Sequence, residues 1–167
     1  MQRSVVAALV VSLALSAVGC ATVPMAAAAD DARMKQRQPG PESALIYVYR
    51  NEVIGYSVHM DVDLDGRPWG ATVAKSFMVW EVPPGRHTLV SHAENDTLLV
   101  LDTLPGQRYF VWQEVKMGIL YARSALQLVP DAVGATGVGE CRLVSMPLPP
   151  PRAAPPPPPP VPAPPTS

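Results

Sequence analysis

Apolar and polar residues alternate with a period of two along the middle of the chain, and this constrains the fold more than any other feature. The alternation is clearest in residues 58–65, where Val58, Met60, Val62 and Leu64 are separated by histidine or aspartate. Such a pattern predicts strands with one buried side and one solvent-facing side. Turn sequences such as Asp65-Gly66 and Pro83-Pro84-Gly85 separate the strands. About seven short strands with regular turns predict an all-β fold, an antiparallel β-sandwich.

The individual strands can be placed from the same pattern. The predicted strands cover residues 45–49, 58–64, 67–72, 77–82, 86–92, 97–103, 109–115 and 126–130. Pro68 has no amide donor, so we expect its strand at a sheet edge. Residues 109–115 are the most aromatic and are expected in the centre. The glycine-rich residues 131–140 are either a loop or a poor helix.

Composition divides the rest of the chain around one domain. Nearly all aromatic and β-branched residues lie in 43–145, which is long enough for one small core of about immunoglobulin or transthyretin size. Residues 20–42 are rich in alanine, charge and proline and are interpreted as a disordered, flexible tether. Residues 146–167 are dominated by proline, which fixes φ and lacks a donor, so they are expected to form a disordered or polyproline II tail.

The first twenty residues have the organisation of a secretory signal. Arg3 precedes the apolar run 5–15, which is too short to span a bilayer comfortably, and a small-residue stretch leads to Cys20. The sequence Ala17-Val18-Gly19-Cys20 resembles a bacterial lipobox, with Ala17 where leucine is usual. It predicts a signal peptide over 1–19, cleavage between Gly19 and Cys20, and lipid, including palmitate, on Cys20. Ala21, where an aspartate would retain the protein at the inner membrane, favours the periplasmic face of the outer membrane.

Ordinary secretion is the alternative to a lipid anchor. Ala27-Ala28-Ala29 before Asp30 would also serve as a cleavage site and would release a soluble domain.

Charge and cysteine content limit the partners. The chain has 13 basic and 14 acidic side chains without a basic cluster, so no nucleic-acid partner is expected. With Cys20 lipidated, Cys141 is the remaining thiol. It is either buried and inert, which we favour, or bridged to another molecule.

Polar clusters give only limited support for a metal site or an enzyme. Asp61, Asp63 and Asp65 followed by Gly66 resemble the start of a calcium loop, but the position that requires a bidentate glutamate is Thr72. A strand ending in a hairpin turn explains the same residues, and we predict no metal and no other cofactor. The histidines are His59, His87 and His92. We expect His87 and His92 on opposite faces of one strand, which does not suit zinc.

Two further groups of residues have both a structural and a functional interpretation. Trp69, Trp80 and Trp112 could line a groove for a sugar or a proline-rich peptide, although aromatic residues in a small β domain usually form its core. Arg50 lies among apolar residues and either pairs with a buried carboxylate or is held by other structural hydrogen bonds.

Several segments together resemble the domain-of-unknown-function 2846 family of small bacterial lipoproteins, over about residues 43–145. The matching segments are Ile46–Arg50, Val62–Arg67 with Gly70, Val79–Thr88, Pro105–Val111, Met117-Gly118 and Cys141–Val144. The strand–PPG–strand hairpin is also similar to PEGA-type modules of bacterial surface proteins. Neither resemblance implies a catalytic residue.

These observations favour a non-enzymatic, membrane-anchored lipoprotein with a binding or structural module. Its lipid would hold the membrane, and its proline-rich tail could reach an envelope protein or peptidoglycan. The alternative from another class is a periplasmic hydrolase, but no G-x-S-x-G sequence marks a nucleophile.

Overall fold

Two β-sheets pack face to face in the computed structural model, as the alternation predicts. The structure describes residues 23–55, 58–120 and 122–145. The predicted signal peptide, Cys20 and the proline-rich tail lie outside these residues. Nine strands and two helices are described: α1 Ala28–Lys35, β1 Ala44–Arg50, β2 Met60–Leu64, β3 Arg67–Thr72, β4 Ser76–Val82, β5 Gly85–His92, β6 Asp96–Thr103, β7 Arg108–Met117, β8 Ala122–Val129, α2 Asp131–Gly139 and β9 Arg142–Leu143.

The two sheets contain five and four strands. The larger sheet has the order β8-β7-β1-β4-β9, and the smaller has the order β3-β2-β5-β6. Most neighbours are antiparallel, but β1 runs parallel to β7 and β4 runs parallel to β9. The edge position of β3 and the internal position of β7 agree with the sequence predictions.

Strand β1 is the centre of the molecule, and all seven of its residues are buried. Ile46 and Val48 on one face pack into the core between the sheets. Leu45, Tyr47 and Tyr49 on the other face join a second core beneath the helices. A strand covered on both faces cannot show the alternation of a half-exposed strand, which explains its continuous apolar sequence.

The turn at Asp65-Gly66 forms the predicted hairpin between β2 and β3. Both residues have positive φ, 53° for Asp65 and 72° for Gly66, as a two-residue type I′ turn requires. Aspartate tolerates this conformation better than most residues, and glycine adopts it without a steric penalty.

Residues 131–140 form mainly helix α2, one of the two alternatives left by the sequence. The helix packs on the outer face of β1 and β7, where Gly134 and Gly137 approach Phe110 and Tyr49 closely. A Cβ atom at either glycine would overlap an aromatic side chain. The glycines that make the helix intrinsically poor therefore also allow it to pack.

Residues 23–37, here called the docking segment, differ from the flexible tether expected from their composition. This segment contains α1 and packs against the sandwich through Val23, Met25 and Met34. The composition shows few large apolar residues, but those few reach a surface that the sheets leave open. Met25 and Ala26 pair with Val144 and Leu143, more than a hundred residues away in the chain, so these contacts are not visible locally.

Candidate functional site

The docking segment forms the described part of the chain nearest to Cys20, and its first residues add a short strand-like edge to the larger sheet. Met25 forms an antiparallel bridge with Val144. The Ala26 amide donates to the Leu143 carbonyl at 2.9 Å, and the Ser145 amide donates to the Pro24 carbonyl at 2.7 Å. Val23 and Met25 pack against the core between the sheets. Packed residues of the domain therefore lie as close as three positions after Cys20 in the sequence.

Helix α1 fixes the remainder of the docking segment. The Asp31 carboxylate accepts a hydrogen bond from the Leu143 amide at 2.7 Å. It also forms an ion pair with Lys35 at 2.9 Å. The Lys35 ammonium also lies 5.7 Å from the centre of the Phe77 ring, within cation–π range. The Tyr47 hydroxyl donates to the Met34 carbonyl at 2.8 Å. These contacts join the segment to β1, β4 and β9.

The alternative cleavage site falls inside this ordered segment. Cleavage after Ala29 would cut within helix α1, which begins at Ala28. It would also remove the bridge at Met25 and the core contacts of Val23 and Met25. Cleavage before Cys20 keeps all of these contacts.

The three aspartates of the calcium-like sequence do not converge. Asp61 is exposed on β2. Asp63 lies 3.1 Å from His92, whereas Asp65 faces His87 and accepts the Thr88 amide at 2.9 Å. Within the described ranges no group of three or more histidine, cysteine, aspartate or glutamate residues is arranged to hold a metal ion.

His87 connects two turns at one end of the sandwich. Its Nδ1 lies 2.8 Å from the Asp65 carboxylate and its Nε2 lies 2.8 Å from the Pro83 carbonyl. The nearly buried imidazole thus ties the Asp65-Gly66 turn to the Pro83-Pro84-Gly85 turn.

His92 lies on the opposite face of β5 from His87, as expected. Its ring nitrogens lie 2.8 Å from Asp96 on β6 and 3.1 Å from Asp63 on β2. The hydrogen bonds to Asp96 and then to Asp63 raise the pKa of His92 above its ordinary value. Protonated His92 thus links three strands of the smaller sheet.

This raised pKa predicts a small pH dependence of stability. Because the folded pKa lies above the unfolded one, the His92 contribution is complete below about pH 6.5 and is lost as pH rises through the folded value. We expect His92→Gln to lower the thermal unfolding midpoint by at most a few degrees at acidic pH, and less at alkaline pH, since the site is partly exposed. His59→Gln, at an exposed position just before β2, is the control. An equal effect at both pH values would contradict the ionic link.

The three tryptophans do not line one groove. Trp80 is buried between the sheets, and Trp69 packs edge-on against it with ring centres 5.6 Å apart. Trp112 is partly buried on the other face of the larger sheet, against the core beneath the helices. Trp69 and Trp80 thus belong to one core, and Trp112 to another.

Arg50 and Cys141 are both buried within the fold. Arg50 donates to the carbonyls of Val58 at 2.7 Å and Ile54 at 3.1 Å, and also to that of Gly55. It is a structural arginine held by backbone carbonyls. The burial predicted for Cys141 is confirmed, and burial raises the pKa of its thiol to about 12. Such a thiol is not activated as a nucleophile.

Sequence reasoning missed a polar group between the sheets. The side chain of Gln113 donates to the Ser91 hydroxyl at 2.7 Å and accepts a hydrogen bond from Thr72. All three residues are fully buried. The signal was available, because each of these polar residues occupies an inward-facing position in its strand. The sequence did not reveal that these three side chains bond to one another, because each comes from a different strand.

Comparison with known proteins identifies the family. Residues 41–124, half of the chain, match the sequence model of a family described as protein of unknown function, DUF2846. The chain belongs to the DUF2846 family. An uncharacterised protein of Haemophilus influenzae is 27% identical over 136 residues, which cover 80% of this chain and 81% of the relative. No solved structure matches the chain. The DUF2846 match includes both turns joined by His87, so the resemblance noted in the sequence is confirmed.

Proposed function

We propose that this DUF2846 protein is a lipid-anchored lipoprotein of the bacterial cell envelope, with a β-sandwich that serves as a non-catalytic binding or structural module. The proposal begins with the lipobox-like sequence that ends at Cys20. The strongest support for the proposal is the docking of residues 23–37 on the sandwich. A chain prepared for cleavage before Cys20 retains a complete domain, whereas cleavage after Ala29 removes part of the packed structure.

The docking segment also limits the distance between the lipid and the domain. Two residues lie between Cys20 and Val23, so the three steps of an extended chain, at most about 3.6 Å each, span about 11 Å in total. A lipid on Cys20 would therefore hold the sandwich close to the membrane surface. In the part of the chain that the structure describes, no helix is long and apolar enough to cross a membrane.

The proposal also includes a binding partner for this module. The proline-rich residues 146–167 follow directly after Ser145, which is bonded to Pro24 in the docking segment. The tail and the lipid would therefore leave the domain from neighbouring points. Anchored at the periplasmic face of the outer membrane, the protein would present its tail to an envelope protein or to peptidoglycan.

Intact mass of the protein purified from membranes tests the anchor. We expect a mature chain that begins at Cys20 and carries a diacylglyceryl group and further acyl chains. Cys20→Ala should lose the lipid completely. Cys141→Ala is the matched control, because it removes the buried thiol and should leave both lipid and membrane fractionation unchanged. A mature chain that begins at Asp30 without lipid would refute the proposal in favour of a secreted domain.

A further inference from the structure

One end of the sandwich carries a protruding apolar loop between β7 and β8. Its side chains Met117, Ile119 and Leu120 are 91%, 89% and 83% exposed. We call these three residues the apolar tip. Single exposed apolar residues are normal on protein surfaces, but here three large ones lie within four consecutive positions of one hairpin.

A second apolar loop lies at the same end. Val53 and Ile54, in the connection that follows β1, are also largely exposed. Because β1 runs parallel to β7, the chain beyond the end of β1 lies beside the last residues of β7. A hydrogen bond from the Val115 amide to the Glu52 carboxylate, 2.8 Å long, joins the two segments. The loop after β1 therefore adds its apolar side chains to the end that bears the apolar tip.

The charged side chains around the apolar tip make defined contacts. Lys116 and Arg123 lie opposite each other across the β7–β8 ladder, directly below the tip. The nearby carboxylates face donors of this chain. Glu94 accepts the amides of Ile119 and Leu120 at 3.0 and 2.9 Å, and Glu114 pairs with Lys116 at 2.9 Å. Below the tip, Lys116 is thus paired with Glu114 and Arg123 is exposed beside it, while the Glu94 carboxylate holds two of the tip's amide groups.

We propose that the apolar tip inserts into the interface of a phospholipid bilayer, with Lys116 and Arg123 at the level of the lipid phosphates. Membrane-surface segments commonly combine apolar side chains with adjacent lysine or arginine. A stable protein interface usually requires about 800 Å² from each partner, which suits a broad surface better than a narrow hairpin tip. This contact is independent of lipid on Cys20, because the tip lies at the β7–β8 edge of the larger sheet and the docking segment pairs beside β9 at the opposite edge.

Vesicle co-sedimentation tests the proposal with the chain from residue 21 to 167, which has no Cys20 and retains every described element. The vesicles contain phosphatidylethanolamine with phosphatidylglycerol, or phosphatidylcholine alone. We expect the wild-type chain to bind the anionic vesicles, and the double variant Ile119→Ser/Leu120→Ser to bind at least about tenfold more weakly. The matched control is Leu98→Ser/Val100→Ser, which makes the same kind of change at exposed positions of β6 outside the tip.

A double charge variant tests whether Lys116 and Arg123 contribute to the binding of anionic vesicles. Lys116→Gln/Arg123→Gln should weaken binding to the anionic vesicles and reduce its salt dependence, with little effect on phosphatidylcholine vesicles. Thermal unfolding shows whether each variant is folded, and the tip positions are exposed enough to tolerate serine. Failure of the wild type to bind any vesicle, or equal binding by the tip variant and its control, would overturn the proposal. Those outcomes would leave the Cys20 proposal untouched.

Discussion

Gly134→Ala is expected to destabilise the protein by about 2 kcal/mol or more. The added Cβ atom would overlap the Cβ and Cγ atoms of Phe110, which lies on the internal strand β7 and cannot move without disturbing the sheet. Alanine is worth up to about 1 kcal/mol more than glycine within a helix, so the steric cost must exceed this gain. Chemical denaturation, followed by circular dichroism, measures the change in free energy of unfolding.

Gly139→Ala is the matched control in the same helix. No atom lies within 4 Å of the position that its Cβ would occupy, so the variant should be as stable as the wild type or slightly more stable. Gly137→Ala, which would meet the ring of Tyr49, should resemble Gly134→Ala. If all three variants had the same stability, α2 would not be in close contact with the larger sheet.

Arg50→Met should cost about 3 kcal/mol of stability, because it removes the buried side chain that donates three hydrogen bonds to backbone carbonyls. The carbonyls of Ile54, Gly55 and Val58 would lose their shared partner, and the loop after β1 would lose its central support. We expect a lower denaturation midpoint together with faster proteolysis within this loop. Arg50→Lys should recover only part of the loss, since a single ammonium group does not reproduce the geometry of a guanidinium.

Arg86→Met provides the comparison for Arg50. Arg86 forms an ion pair with Asp102, but both side chains are exposed. Pairs of this kind contribute little, because water and salt screen them. The denaturation midpoint of Arg86→Met should therefore stay close to that of the wild type. A large loss in both arginine variants would indicate that charge balance, and not the buried hydrogen bonds of Arg50, determines the effect.

The anchor and the apolar tip differ in how far the sequence could reveal them. Cys20 is recognisable because a signal peptide is read as a linear sequence, and this prediction awaits its test. Met117, Ile119 and Leu120 are visible as apolar residues, but their exposure depends on the hairpin that carries them. In a β protein, the same residues could equally have faced a core.

Local patterns determined the elements of this protein. Period-two alternation predicted most of the strands, a continuous apolar run predicted β1, Asp65-Gly66 predicted a tight turn, and Pro68 predicted an edge strand. Strand β9 and the first half of β8 were not predicted. These signals are reliable because they depend on backbone conformation and on the face that a residue presents, both of which are properties of neighbouring residues.

Only the tertiary structure decided which distant residues meet. It placed β1 parallel to β7, seated α2 through Gly134 and Gly137, and docked residues 23–37 on β9. It also placed His87 between Asp65 and Pro83, and Arg50 among the carbonyls of the following loop. The sequence by itself indicated most of the strands and the turns, and it predicts where in the cell the chain is located. Packing decided the contacts, because the free energy of burial depends on surfaces that come together only when the whole chain has folded.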